Sequence, residues 1–180
     1  MLTAACAPRP VSLRIAAAAD LRFALDDLVK AYAQQHPQVH IERSYGSSGL
    51  FYAELLNHAP FDLFLSADVQ YPRQLAQREL TLAGSQFTYA TGRIVLWTAN
   101  ASGIPVERLG IEAVRQPAVR HLAIANPAHA PYGRAAEAAL SSLGVYDQVK
   151  SKLVMGENIS QTFQLAQSGA AEVGIVAITG

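Results

Sequence analysis

From Val11 to Asp68 the chain alternates apolar runs of strand length with runs of helical period, and no other feature restricts the fold as much. Val11 to Ala17 (VSLRIAA) reads as a first strand. Asp20, a plausible N-cap, then precedes apolar residues that recur at helical spacing from Leu21 to about Tyr32, and Pro37 ends that helix. Val39 to Ser44 predicts a second strand, Leu50 to Leu56 a second helix broken by Ala59-Pro60, and Phe61 to Ser66 a third strand. This order calls for a parallel sheet with helices on its faces. Ligands of such sheets bind beyond the carboxyl ends of the strands. Those ends are Ala18-Ala19-Asp20, Gly46-Ser47-Ser48 and Ser66-Ala67-Asp68.

A similar pattern follows. Pro72 to Leu80 reads as a helix, and Phe87 to Arg93 as a β-prone stretch interrupted by Gly92, suited to a crossover between two lobes. Ile94 to Thr98 and Leu122 to Ala125 predict strands, Val106 to Ala113 a weak helix, and Asn126 to Gly133 a loop. Arg134 to Leu143 should be helical, and Val149 to Val154 a short strand. Asn158-Ile159-Ser160-Gln161 opens a helix as a capping box, running to Ser168. Glu172 to Ala177 is the last strand. The expected division is a tail at 1–10, a first α/β lobe at 11–90 and a second at 91–180.

Composition removes several function classes. Hydrophobic residues make up 51% of the 180 and charged residues 16%, which describes a folded chain rather than a disordered one. Fourteen basic and fourteen acidic residues give zero net charge with no basic stripe, which argues against a nucleic-acid surface. No uninterrupted apolar segment is long enough to span a bilayer. The single cysteine, Cys6, permits no intrachain disulfide. Leu2-Thr3-Ala4-Ala5-Cys6-Ala7-Pro8 is similar to the small-residue end of an export signal. Residues 1–10 therefore read as an incomplete signal peptide or a disordered tail. Lipidation of Cys6 is left open, Thr3 being a poor fit to the usual aliphatic residue.

Catalytic patterns are weak. Gly46-Ser47-Ser48-Gly49 lacks the spacing of a nucleophile elbow, and no phosphate loop of the Walker or dinucleotide type is present. Asp62 and Asp68 could form a carboxylate pair, but strand-end carboxylates more often bond loop backbone. His36 and His40 flank Pro37, which breaks the helix that a metal pair would need. The positive signal is a recurring device. Ala19-Asp20, Ser47-Ser48, Pro131-Tyr132 and Asn158-Ile159 each lie where a helix begins. A helix N-terminus favours an anion by roughly 0.3–1 kcal/mol when exposed and up to about 2 kcal/mol when partly buried. Hydrogen bonds to a charged partner add about 1.5–3 kcal/mol each. Several together reach the roughly −8 kcal/mol of micromolar binding after the cost of association, with no lysine or arginine in the site. The plainer reading of the serine loop is an N-cap on an ordinary helix.

Six segments in order carry a family resemblance: Ile15 to Leu21 (IAAAADL), Tyr45 to Gly49 (YGSSG), Ala59 to Asp68 (APFDLFLSAD), Gly84 to Ala90 (GSQFTYA), Asn126 to Gly133 (NPAHAPYG) and Gly174 to Ala177 (GIVA). From about Leu13 onward the chain resembles the periplasmic molybdate-binding proteins of ABC importers. The resemblance implies a two-lobed periplasmic-binding-protein fold of type II that closes on molybdate or tungstate with neutral donors. It implies an exported, periplasmic monomer that delivers the oxyanion to a membrane permease, without enzymatic activity, cofactor or nucleic-acid partner. Carried over by position, Ser48 with Ser47 beside it donates a hydroxyl and backbone N–H. Ala19 and Asp20 supply first-loop N–H groups, Tyr132 its phenol and Ile159 its N–H. No protein atom ligates the metal directly.

Two departures from the family pattern carry expectations. Asp20 stands where a neutral hydroxyl or amide is usual, so it should point away as a cap or share a proton with the ligand, and Asp20→Asn is expected to bind molybdate as well or better. Family members also continue beyond this chain's last residue to complete the first lobe, so that lobe is expected to be destabilised and to expose apolar surface. Sulfate or phosphate carriers, and an oxyanion-sensing effector domain, are the alternative readings.

Overall fold

The computed structural model describes residues 11–178, so the expectations for the first ten residues and Cys6 lie outside the described residues. Two sheets organise the chain. In the first, β1 (Val11–Ala18) lies between β2 (Val39–Gly46) and β3 (Leu63–Leu65), parallel to both. Its helices are α1 (Arg22–Gln35), α2 (Ser48–Leu56) and α3 (Gln70–Gln77). A strand covered on both sides should be apolar throughout rather than alternating. The second half of β1 obeys this, with Ile15, Ala16, Ala17 and Ala18 all buried.

The second sheet has the order β4-β7-β5-β6, formed by β4 (Arg93–Trp97), β5 (Leu122–Ala125), β6 (Leu153–Gly156) and β7 (Val173–Ile178). β5 runs parallel to β6 and β7, whereas β4 pairs antiparallel with β7. The expectation of parallel sheets thus holds except at this edge. The helices are α4 (Val106–Leu109), α5 (Pro131–Ser142), α6 (Tyr146–Val149) and α7 (Ile159–Gln167). β5 is buried along its whole length and packs with Val114, Leu140, Val145, Val149 and Val173 into the larger core.

Three local expectations are corrected. The helix expected from Arg134 begins at Pro131, because proline at the first helical position gives up an N–H that has no intrahelical partner anyway. The strand expected at Val149 to Val154 begins only at Leu153. Val145 and Val149, four residues apart, instead drop into the core from α6 and its cap, and a 3-10 turn at Lys150–Lys152 follows. Asp20 is not an N-cap: it sits inside a 3-10 turn, Ala19–Leu21, and α1 starts after Leu21 with no side-chain cap. The capping box at α7 is present in modified form. Asn158 Oδ1 accepts from the Gln161 N–H at 3.0 Å, and Gln161 Oε1 accepts from Glu157, one residue before the cap.

Candidate functional site

The carboxyl ends of β1, β2 and β3 face the starts of α5 and α7 across a narrow pocket. Ala19, Asp20, Ser47, Ser48, Tyr132 and Ile159 all line it, together with Gly46, Ala67 and Asn158. The structure therefore brings all six sequence-predicted residues to one place. Ser48 and Ile159 are the first residues of α2 and α7, and Tyr132 is the second of α5. Their backbone N–H groups belong to the first turn, where no intrahelical acceptor exists.

The hydroxyls divide into committed and free protons. Ser47 caps nothing with its side chain; its Oγ donates to the His129 carbonyl of the opposite wall at 2.5 Å. Ser48 is buried, and its Oγ accepts from the Ala67 N–H at 3.0 Å, so one lone pair is used and the hydroxyl proton is left for another acceptor. Tyr132 Oη donates to Asp20 Oδ2 at 2.7 Å. Asp20 Oδ1 is buried without a hydrogen-bond partner. Burial pushes the Asp20 carboxyl above the usual carboxylate range, offset in part by the Tyr132 hydroxyl and its own backbone N–H. Burial and the neighbouring Asp20 also push the Tyr89 phenol up to about 12 and raise that of Tyr132.

Gly92 makes this arrangement possible. A Cβ there would collide with the Tyr132 hydroxyl, so glycine lets the segment entering β4 pass beside the phenol without displacing it. Gly49 does the same for the opposing wall. Its N–H donates to the His129 carbonyl at 3.0 Å, and a Cβ would meet that oxygen and come within 2.7 Å of Tyr71 Oη.

Outside the pocket, contacts that the sequence did not announce hold the two sheets' units together. Arg134 on α5 donates to Asp68 Oδ2 at 2.6 Å and to Tyr71 Oη at 2.9 Å, and its guanidinium stands 5.3 Å from the centre of the Tyr71 ring. Ser160 Oγ donates to the Ala19 carbonyl at 2.9 Å. Arg134 carried a faint signal, being the fourth residue of the helix that opens with Pro131-Tyr132. The His129 carbonyl carried none, since any residue offers one.

The two aspartates weighed as a catalytic pair serve structure. Asp62 Oδ2 accepts from the Arg14 N–H at 2.7 Å, and Asp68 Oδ1 from the Gln70 N–H at 2.9 Å. Among the described residues no group of three or more His, Cys, Asp or Glu could hold a metal ion, and no helix is long and apolar enough to cross a membrane.

Comparison with known proteins identifies relatives of this fold. Residues 13–179 match the family model described as bacterial extracellular solute-binding protein. The molybdate-binding protein ModA of Azotobacter vinelandii is 38% identical over 97% of this chain, which spans 68% of that relative. The ModA of Rhodobacter capsulatus is 42% identical over 74% of this chain and 52% of its own length. The chain thus spans about half to two thirds of these relatives. Among solved structures, the Azotobacter vinelandii periplasmic molybdate-binding protein superposes with a TM-score of 0.84 at 34% identity, covering 92% of this chain and 71% of that one.

Proposed function

The chain belongs to the bacterial extracellular solute-binding protein family, and from that premise we propose that it holds molybdate in the pocket between its two sheets for delivery to an ABC importer. The observation that carries this reading is the convergence of three helix starts and the free Ser48 hydroxyl on one small pocket without a cation. Such a site neutralises a dianion with dipoles and hydrogen bonds rather than with side-chain charge. In the bound state Ser48 donates its hydroxyl and N–H, Ala19, Asp20 and Ile159 donate backbone N–H groups, and Tyr132 closes the pocket from α5. Ser47 holds the His129 loop instead of the ligand. Tungstate, with the same shape and charge, is the natural second ligand. The lobes that close on it are residues 11–90 and 91–180, and the protein works as a periplasmic monomer that binds without turnover.

A donor cage fixed by strand ends and helix starts discriminates by size, since a smaller tetrahedral anion leaves buried donors unpaired. Calorimetric titration with molybdate, tungstate, sulfate and phosphate tests the reading. One molybdate or tungstate per chain, with sulfate and phosphate at least a hundredfold weaker, is the expected result. Preference for sulfate or phosphate would overturn it.

A further inference from the structure

We propose that the Asp20 carboxyl is protonated when the pocket holds its oxyanion, accepting from Tyr132 at Oδ2 and donating from Oδ1, so that the site takes up one proton with each dianion. The proposal rests on the oxyanion-binding reading above and adds a pH-coupled determinant to it. Its starting point is the geometry of the two carboxyl oxygens. Oδ2 is engaged by the Tyr132 hydroxyl at 2.7 Å, and Oδ1 is buried in the pocket wall with no partner. An ionised carboxylate would present that bare oxygen to a dianion, and buried acceptors facing acceptors are unfavourable twice over, by charge and by lost hydrogen bonding. A carboxylic acid with its proton on Oδ1 removes the charge: Oδ2 remains the acceptor that Tyr132 needs, and the partnerless Oδ1 gains a proton to donate within the pocket.

The surroundings supply no alternative neutraliser. Asp20 forms no ion pair among the described residues. From α5 and the segment before β4 it meets the phenols Tyr132 and Tyr89, both raised and therefore neutral at ordinary pH. α7, which packs against its turn, carries no titratable residue. From β2 and α1 come Tyr45, Arg43, Asp26 and Arg22, which engage one another: Tyr45 and Arg43 both bond Asp26, and Arg22 stands over the Tyr45 ring. Arg134 and Asp68 are paired, as are His129 and Glu157. Burial already raises the Asp20 carboxyl in the free pocket, and a bound dianion raises it further. Proton uptake follows by linkage. Where the free protein is ionised at Asp20 and the complex is not, affinity falls about tenfold for each unit of rising pH. Below the free-state pKa the affinity is level.

The test is calorimetric titration of the protein with molybdate from pH 6 to pH 9, in pairs of buffers with different ionisation enthalpies, which counts protons directly. Wild type should take up close to one proton per molybdate in the upper part of this range, with a Kd that rises about tenfold per unit there. Asp20→Asn supplies a fixed amide donor, so it should bind with no uptake and a level Kd, surpassing wild type at pH 9. Molybdate binding by wild type with no proton uptake and a level Kd throughout would overturn the proposal while leaving the oxyanion reading intact. Uptake that persists in Asp20→Asn would also overturn it, by placing the proton elsewhere. No binding of any tetrahedral oxyanion at any pH would overturn the reading and this proposal together. The wild-type proton count decides the matter even if the variant fails to fold.

Discussion

The two sheets of this protein are built to different standards. Among the described residues the second packs a cluster of twelve buried residues, including Val114, Leu122, Ile124, Leu140, Val145, Val149 and Val173, with partly buried hydrophobics against it. Among the described residues the corresponding cluster of the first has four, Ile15, Ala17, Leu25 and Val29, with Phe51 and Leu75 buried apart from it. Around the first sheet large apolar side chains face solvent, including Phe23 (78% exposed), Leu82 (83%) and Phe87 (72%). A groove of about 820 Å³ runs beside β3 and α3, lined by residues such as Phe61, Phe64, Leu75 and Phe87. Yet the pocket draws on both halves. The larger buried cluster lies in the second sheet's unit, while the site depends on how the two units meet.

Four substitutions sharpen that contrast. The largest effect is expected from Leu140→Ala, which empties a fully buried position in the larger core and should cost about 2–5 kcal/mol in urea unfolding. Leu25→Ala in the smaller core should cost less than Leu140→Ala, because fewer buried neighbours lose contact. Equal losses would break the comparison. Next comes Gly49→Ala, which forces a methyl against the His129 carbonyl and Tyr71. It should weaken molybdate binding by about tenfold or more, about 1.4 kcal/mol, with little change in the unfolding midpoint. The smallest effect belongs to Arg134→Gln. The Arg134–Asp68 pair is partly exposed on both sides, so its loss should cost about 0.2–1 kcal/mol of closure. That is a severalfold or smaller loss of affinity, equal for molybdate and tungstate and eased by salt in wild type. A change in the ratio of the two ligands would place Arg134 inside the recognition site.

Much of this was legible in the residues, for physical reasons. Runs such as LAIA at β5 and IAAA in β1 are continuous because both faces of the strand are covered, and period alone finds them. The helix starts that carry the pocket residues are local features of the sequence, while the choice of the six residues rests on the family resemblance. What escaped was long-range. Asp20 was read as a cap because a carboxylate before a helix usually is one; its partner Tyr132 lies 112 residues away, and no local pattern reports that bond. Ser47 likewise gives its proton to a carbonyl 82 residues distant. The antiparallel β4 edge and the late start of the strand expected at Val149 to Val154 differ from expectation for the same reason, since strand direction and core assignment are settled by what packs opposite.

Neutral donors at this junction are proposed to hold a tetrahedral metal oxyanion. The anomalous scattering of tungsten or molybdenum in a crystal of the complex tests it most directly. One strong peak is expected between Ser48, the Ala19–Asp20 turn and the starts of α5 and α7, with oxyanion oxygens about 2.7–3.0 Å from Ser48 Oγ and the Ile159 nitrogen. A peak on the outer surface or in the groove beside β3, with this pocket empty, would contradict it.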